Sequence, residues 1–477
     1  MPLSAAALPY ATPHDPSEDA PSSVDPLGTQ TDSERLADVL LPGFTARMWK
    51  LRFVTFSAVA SVVADRVVAT LGREDLRLDA RLGFERSYVS SLVRAHEEDS
   101  SAFGSAPDRL PGRRLARAAL LADEPLTKGN FLQGQAINGP FGVMARLTRH
   151  LGVVDDESRP GRSAANLVLD WAVDEGLPGI LDDEGLREGS GAQWMFEVCR
   201  VVSAHVTRAD WPRRGHRIWE LLARPLRPDV LGKRERTSLS SLLQADPLRR
   251  RMMALLSEGQ HAYATALNRD GLRGPVERHV LLQAVAPSLG SDPVDRVLQA
   301  TIDMSSAYED LTGLLQQAFD AIRWTLVLMG GRATPEAVLG HVVTKAHLAQ
   351  TVVALRRVVP EFTAALKTLS QQPSVRPELL DALDRLHSDA AGCGDPDTLA
   401  ETVMSRHHRI QKAKRKADWV DRDSHWTLMP GFGIAGEAPP SYQGSWMHPF
   451  RVVNAYSALR DLGEIISTFQ EVSDGEA

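Results

Sequence analysis

The residues best equipped for chemistry are cations and histidines. Arg406, Arg409, Lys412, Lys414, Arg415 and Lys416 put six basic residues in eleven at helix-compatible spacing. Such a row suits phosphate, which attracts Lys and Arg through charge with little readout of base sequence. A solvated helical face accounts for the same row without any ligand. A second excess runs from Arg208 to Arg251, twelve Lys or Arg against five Asp or Glu. Here Arg213, Arg214, Arg217, Lys233, Arg234 and Arg236 are candidates to line a phosphate-binding face, with Arg249 to Arg251 beyond them. Trp211 and Trp219 are available to stack bases. The plainer reading makes Trp219, Leu221 and Leu222 core and the arginines its wet side. His407 and His408 are adjacent, so they point to different sides of a helix and do not chelate like an i,i+4 pair. No carboxylate spacing completes a metal site around His425 or His448, and His448 reads as a structural hydrogen-bonding group. Gly232-Lys233 lacks a P-loop frame, no GxGxxG follows a strand, and no GxSxG occurs. The pairs Asp155-Asp156 and Asp182-Asp183 sit in turn-like sequence. We therefore expect no catalytic residue, cofactor or metal.

These residues must be positioned by helices. The stretch from Lys128 to Gly176 reads as helix, tight turn, short strand, wing-like turn and second helix. Pro140 suits a first helical position after the start signals Asn138 and Gly139. Val143, Leu147 and Leu151 form an apolar row with Met144 beside it, leaving Arg146, Arg149 and His150 off the row. Gly152 ends that helix, Val153-Val154 suits a short strand, and Asp155 to Ser158 makes the turn. Ala164, Leu167, Val168 and Trp171 share one side of the second helix. The order resembles a small winged-helix unit, a module that binds DNA in many proteins and packs on partners in others. Arg146 and Arg149 join the phosphate-contact candidates.

A chain of 477 residues is too long for one ordinary core. Hydrophobic content of 43%, low aromatic content and abundant Ala, Leu and Arg favour a folded, mainly α protein. The net charge of −7 excludes a generic polyanion binder, so local patches carry the argument. Cys199 and Cys393 stand outside any CxxC or Cys/His cluster, which makes them lone buried thiols. No signal peptide and no membrane-length apolar run are evident, so we expect a cytoplasmic protein without membrane contact.

Along the chain, residues 1–32 read as a disordered acidic tail, with Ser33 as the first helix cap. Residues 33–190 form an N-terminal helical domain holding the winged-helix-like unit at 128–176. Within it, Thr45 is placed to cap a long helix ending at Gly72. Arg47, Lys50 and Arg52 at its start need partners, because cations oppose the dipole there. Residues 191–400 form a helical array containing the basic segment 208–251. Residues 401–470 combine the basic helix with a small, partly β cap around Trp419, Trp426, Trp446 and Phe450, closed by a last helix. Residues 471–477 are expected to be disordered.

Three blocks carry a resemblance: LPGFTARMWKLRFVTFSAV (Leu41 to Val59), GPFGVMARLTRHLGVVDDESRPGRSAANLVLDWA (Gly139 to Ala172), and HHRIQKAKRKADWV with HPFRVVNAYSALRDLG. They are similar to a bacterial family of mostly helical, uncharacterised proteins encoded beside helicases and nucleases in antiphage defence islands. The first block departs from that pattern, with Phe53-Val54 and Phe56 where an aromatic pair is expected. The resemblance implies a context and no catalytic residues. The expectation is a non-catalytic, DNA-engaging or adaptor subunit of a multi-protein defence system. Duplex DNA and neighbouring subunits, a helicase or nuclease among them, are its expected partners. The alternatives are a pure protein scaffold and an enzyme whose site only the fold assembles. The expected phosphate contacts are Arg146, Arg149, Arg213, Arg214, Arg217, Arg409, Lys412, Arg415 and Lys416.

Overall fold

In the computed structural model, the described residues are 25–104, 109–182, 190–208, 216–270, 273–434, 436–442 and 446–465, without the side chains of 268–270 and 273. They are mainly helical, with a single small sheet among them. Contacts divide the chain into two compact units, one of Ala37–Leu298 with Phe450–Ala477, the other of Met1–Leu36 with Gln299–Pro449. These boundaries differ from those expected from composition, because distant segments share cores.

The larger unit is built around α2, Arg52–Leu71, which follows α1, Gln30–Leu40. Phe53, Val54, Phe56, Val59, Val63 and Val67 are all buried, so α2 must be covered on several sides, and only its C-terminal end reaches water. By length and composition α2 would pass as a membrane span, yet 72% of its apolar window is buried inside the protein. It is a core helix. The helices α3 (Arg77–Glu98), α7 (Pro140–His150), α8 (Ala164–Asp174) and α9 (Ser190–Arg208) supply the cover. Between α3 and α7 lie α4 (Ser100–Phe103), α5 (Arg113–Leu121) and α6 (Gln135–Asn138). Phe56 of α2 stacks between Phe84 and Tyr88 of α3, at 5.6 and 4.4 Å between ring centres.

Gly72 ends α2 at φ 64°, as its sequence position suggests, but Thr45 does not begin it. The start moves to Arg52 because Thr45 Oγ1 instead donates to the Val143 carbonyl at 3.2 Å, and turns fill the interval. The region from Pro140 to Asp174 follows its expected local order. Pro140 is the first residue of α7, Gly152 turns at φ 64°, and Val154 bridges Pro160 across the turn at Asp155–Ser158.

The helices α10 (Ile218–Ala223), α11 (Lys233–Gln244), α12 (Pro247–Glu258), α13 (Gln260–Asp270) and α14 (Arg273–Val280) complete this unit, together with the first residues of α15, Pro293–Leu328.

The smaller unit holds most of α15 with α16 (Pro335–Gly340), α17 (Val342–Ser370), α18 (Pro377–Ala391) and α19 (Pro396–Ala413). Gly313 does not divide α15, and Pro360 lies inside α17 without ending it. The sheet runs β1-β3-β2, all antiparallel, with β1 at Arg332–Ala333, β2 at Val420–Arg422 and β3 at Trp426–Leu428. The expected β cap is therefore completed by a strand from far upstream. Trp419 stacks on Phe432 at 4.8 Å and meets Phe319 and His407 at 6.3 and 6.0 Å.

The last helix, α20 (Val452–Leu462), groups with the larger unit rather than closing the β cap. Glu277 accepts the Phe450 and Val453 amides at its start, and Tyr456 stacks on Tyr263 at 3.9 Å. Order also begins earlier than Ser33. Asp25 accepts the amides of Thr29 and Gln30 at 2.8 and 3.2 Å, and Ser33 lies buried inside α1. Residues 1–24 of the expected N-terminal tail, the expected C-terminal tail 471–477 and the last residues of the expected cap, 466–470, lie outside the described residues.

Candidate nucleic-acid interface

Most arginines singled out in the sequence already have work inside the fold. In the larger unit, Arg146 on α7 meets Asp38 at 2.6 Å, and Asp38 also accepts from Arg451 at 3.2 Å and the Gly43 amide at 3.1 Å. Arg146 is thus part of a pin joining α1, α7 and the start of α20. Arg149, more exposed, approaches Asp156 in the turn at 3.7 Å. Arg217 sits at the N-cap position of α10 without a side-chain capping bond, exposed, with no described carboxylate paired to it. Arg213, Arg214 and Trp211 lie outside the described residues. Trp219 is 7% exposed with Arg94 over its ring at 5.0 Å, so it is core and not a base-stacking platform.

The run Arg249 to Arg251 separates in the same way. Arg249 is 1% exposed and donates to the carbonyls of Leu243, Pro42 and Leu242 at 2.6, 2.9 and 3.1 Å. Arg251 forks onto Asp295 at 2.7 and 3.0 Å, holding that carboxyl below the usual range through hydrogen bonds. Only Arg250 of the three is exposed.

The cations at the start of the first long helix find partners too. Arg47 donates to Asn138 Oδ1 at 2.8 Å. Arg52, fully buried, meets Glu175 at 2.6 Å and Glu235 at 3.0 Å, and donates to the carbonyls of Pro225 and Val230. Burial raises both glutamates, and Arg52 opposes it.

The smaller unit presents the more open patch, at the C-terminal end of α19. Arg406 is buried and spent on the Leu27 carbonyl and Asp389 at 2.7 Å each. Arg409, one turn on, also reaches Asp389 at 2.6 Å but keeps 57% of its side chain in water. Lys414 turns back to the Asp25 carbonyl at 2.8 Å. Lys416 is half-buried, whereas Lys412 and Arg415 are exposed and pair with no described carboxylate. The helix ends here in a Schellman motif, Lys416 N–H to Gln411 O at 3.0 Å and Arg415 N–H to Lys412 O at 3.1 Å. Its left-handed residue, normally glycine, is Arg415 at φ 56°. The motif aims cations past a helix end whose dipole favours them.

The histidines serve structure. His407 Nδ1 faces the Pro26 carbonyl at 3.0 Å, and Nε2 accepts from the Trp419 amide at 2.9 Å. A carbonyl only accepts, so Nδ1 carries the hydrogen. Burial lowers the pKa of this ring and keeps it neutral. His408 meets Asp418 at 2.7 Å. His448 lies between Glu309 at 2.6 Å and Thr29 Oγ1 at 3.0 Å, a spacing that suits a proton relay. Thr29 is 4% exposed, however, and the two bonds fasten the residue before α1 to α15 beneath the surface. Among the described residues no group of His, Cys, Asp or Glu could hold a metal ion.

A buried network that the sequence did not signal lies behind α7. Glu85 accepts from the Phe141 amide at 2.9 Å and Gln135 at 2.8 Å, and burial pushes its carboxyl up to about 7. Arg86 reaches Gln135 at 2.7 Å and His205 at 2.9 Å. These residues are scattered over α3, α6, α7 and α9, so no local spacing reveals them. A scan against protein-family models, a search of curated proteins and a search of solved structures each return no match.

Proposed function

We propose that this chain is a non-catalytic, DNA-engaging adaptor subunit, working in a cytoplasmic multi-protein system of the antiphage type that its three blocks resemble. The observation that carries the reading is the end of α19. There Lys412 and Arg415 stand in water without a carboxylate partner among the described residues, beside the half-exposed Arg409. An arginine holding a left-handed position is the further support, since such strain concentrates at functional sites. Contact is with phosphate, so it is strong in charge and poor in sequence readout. The region 128–176 acts as a winged-helix-like module, with Arg149 and Arg217 as lesser contacts; Val154 bridging Pro160 supports a wing.

The test is fluorescence anisotropy of a labelled 30-mer duplex (about three helical turns) across a salt series. Affinity should fall as salt rises, with a slope set by the few phosphates the end of α19 can reach, and Lys412→Glu with Arg415→Glu should abolish binding at moderate salt. Unchanged binding by that pair would remove the proposal. The pure scaffold reading rests on a different observation: Arg146, Arg149 and Arg409 are already paired with carboxylates of this chain, which leaves fewer cations for phosphate. A chain with no duplex affinity at the lowest salt, copurifying with a neighbour-encoded protein, would favour it.

A further inference from the structure

Within the larger unit, the C-terminal half of α2 and the length of α9 enclose a cavity of about 330 Å³. That is the size of a small-molecule site. Leu71, Met195 and Phe196 give it an apolar wall, and Phe196 keeps 42% of its surface in water although it is a large ring. Three arginines and one described carboxylate, Asp182, share the lining. Arg200 is held by Glu197 at 2.9 Å, and Arg66 gives one nitrogen to the Asp182 carbonyl at 3.1 Å. Arg208 is exposed at the last residue of α9.

An apolar wall with a surplus of guanidinium over carboxylate among its described residues fits an amphiphile with an anionic head. A cationic or neutral amphiphile of the same body would fill the wall and leave the arginines unanswered. We propose that this cavity binds a monocarboxylate with an apolar body of about ten carbons. The body lies against Met195 and Phe196, and the carboxylate meets Arg66 and Arg208. Cys199, in the same wall, becomes covered when the site fills.

That cysteine supplies the test, since Cys393 is the only other thiol in the chain and is buried. The full-length protein is treated with a maleimide, and modification of each cysteine is followed by mass spectrometry. Decanoate, kept below its micelle concentration, should slow Cys199 modification about tenfold or more while Cys393 stays as before. Decylamine and decanol should not. Arg66→Met combined with Arg208→Met should raise the decanoate concentration needed for half-protection by about tenfold, with each protein measured against its own ligand-free rate. Unaltered modification of Cys199 in decanoate would overturn the proposal, and so would equal protection by decylamine. Loss of protection in Phe196→Asp, an exposed position whose change should leave the fold intact, would support it.

Discussion

Arg415 holds a backbone conformation that its own Cβ resists, at a cost of about 1 kcal/mol relative to glycine. Arg415→Gly should therefore raise the unfolding midpoint in a thermal melt. The same change should weaken duplex binding and make the salt slope shallower by about 0.9, the share of one phosphate. A protein that became stabler and bound duplex as before would detach the strain from phosphate contact.

Glu85 gives a second residue-scale expectation. Its carboxyl titrates at about 7 in the fold against an ordinary 4.5, so across that window the unfolded chain holds fewer protons. Stability should fall as pH rises between those values and level off above them. His205 runs the other way, because burial and Arg86 depress it to about 4 from 6.5, which costs stability as pH falls. The difference in urea midpoint between wild type and Glu85→Gln isolates the glutamate. That difference should change with pH between 4.5 and 7 and stay flat above. A difference constant across the window would mean that Glu85 is ionised throughout.

At the scale of elements, the decisive joint is Arg52 at the head of α2. One guanidinium ties α2 to the end of α8 through Glu175, to α11 through Glu235, and to the connecting chain through the Pro225 and Val230 carbonyls. Removing it strands the buried Glu235 carboxylate and leaves the half-buried Glu175 without its partner, and breaking a buried pair typically costs about 3–5 kcal/mol. Arg52→Met should lower the urea midpoint by that measure with its slope unchanged, and adding Glu235→Gln should recover part of the loss. Equal stability of Arg52→Met and wild type would mean that the glutamates find other partners or protonate. The arginine is legible in the sequence as a cation needing a partner, because it opposes the dipole at a helix start. Its partners are not legible, since Glu175 and Glu235 lie more than a hundred residues away.

At the scale of the whole molecule, a net charge of −7 means that long-range attraction to DNA is absent and contact depends on local cations. Raising salt from low to physiological strength should therefore weaken duplex binding through a few phosphates only. The dependence should be shallower than that of a protein making 6–10 phosphate contacts, whose affinity falls 10³–10⁵-fold between 50 and 200 mM salt. A slope as steep as that would require cations beyond the end of α19.

Periodicity and caps alone determined the helical class, the Pro140 start, the Gly152 and Gly72 stops, and the inward faces of α7 and α8. These are local matters of hydrogen-bond supply and apolar spacing, and a helix carries both within a few turns. Burial of Trp219 and Arg249, the partners of Arg146 and Arg409, the assignment of α20 to the larger unit and the cavity beside Cys199 were decided only in three dimensions. A charge on the sequence is the same whether it faces water or a carboxylate. Which it faces depends on the packing of segments far apart in the chain, and no spacing within one segment encodes that.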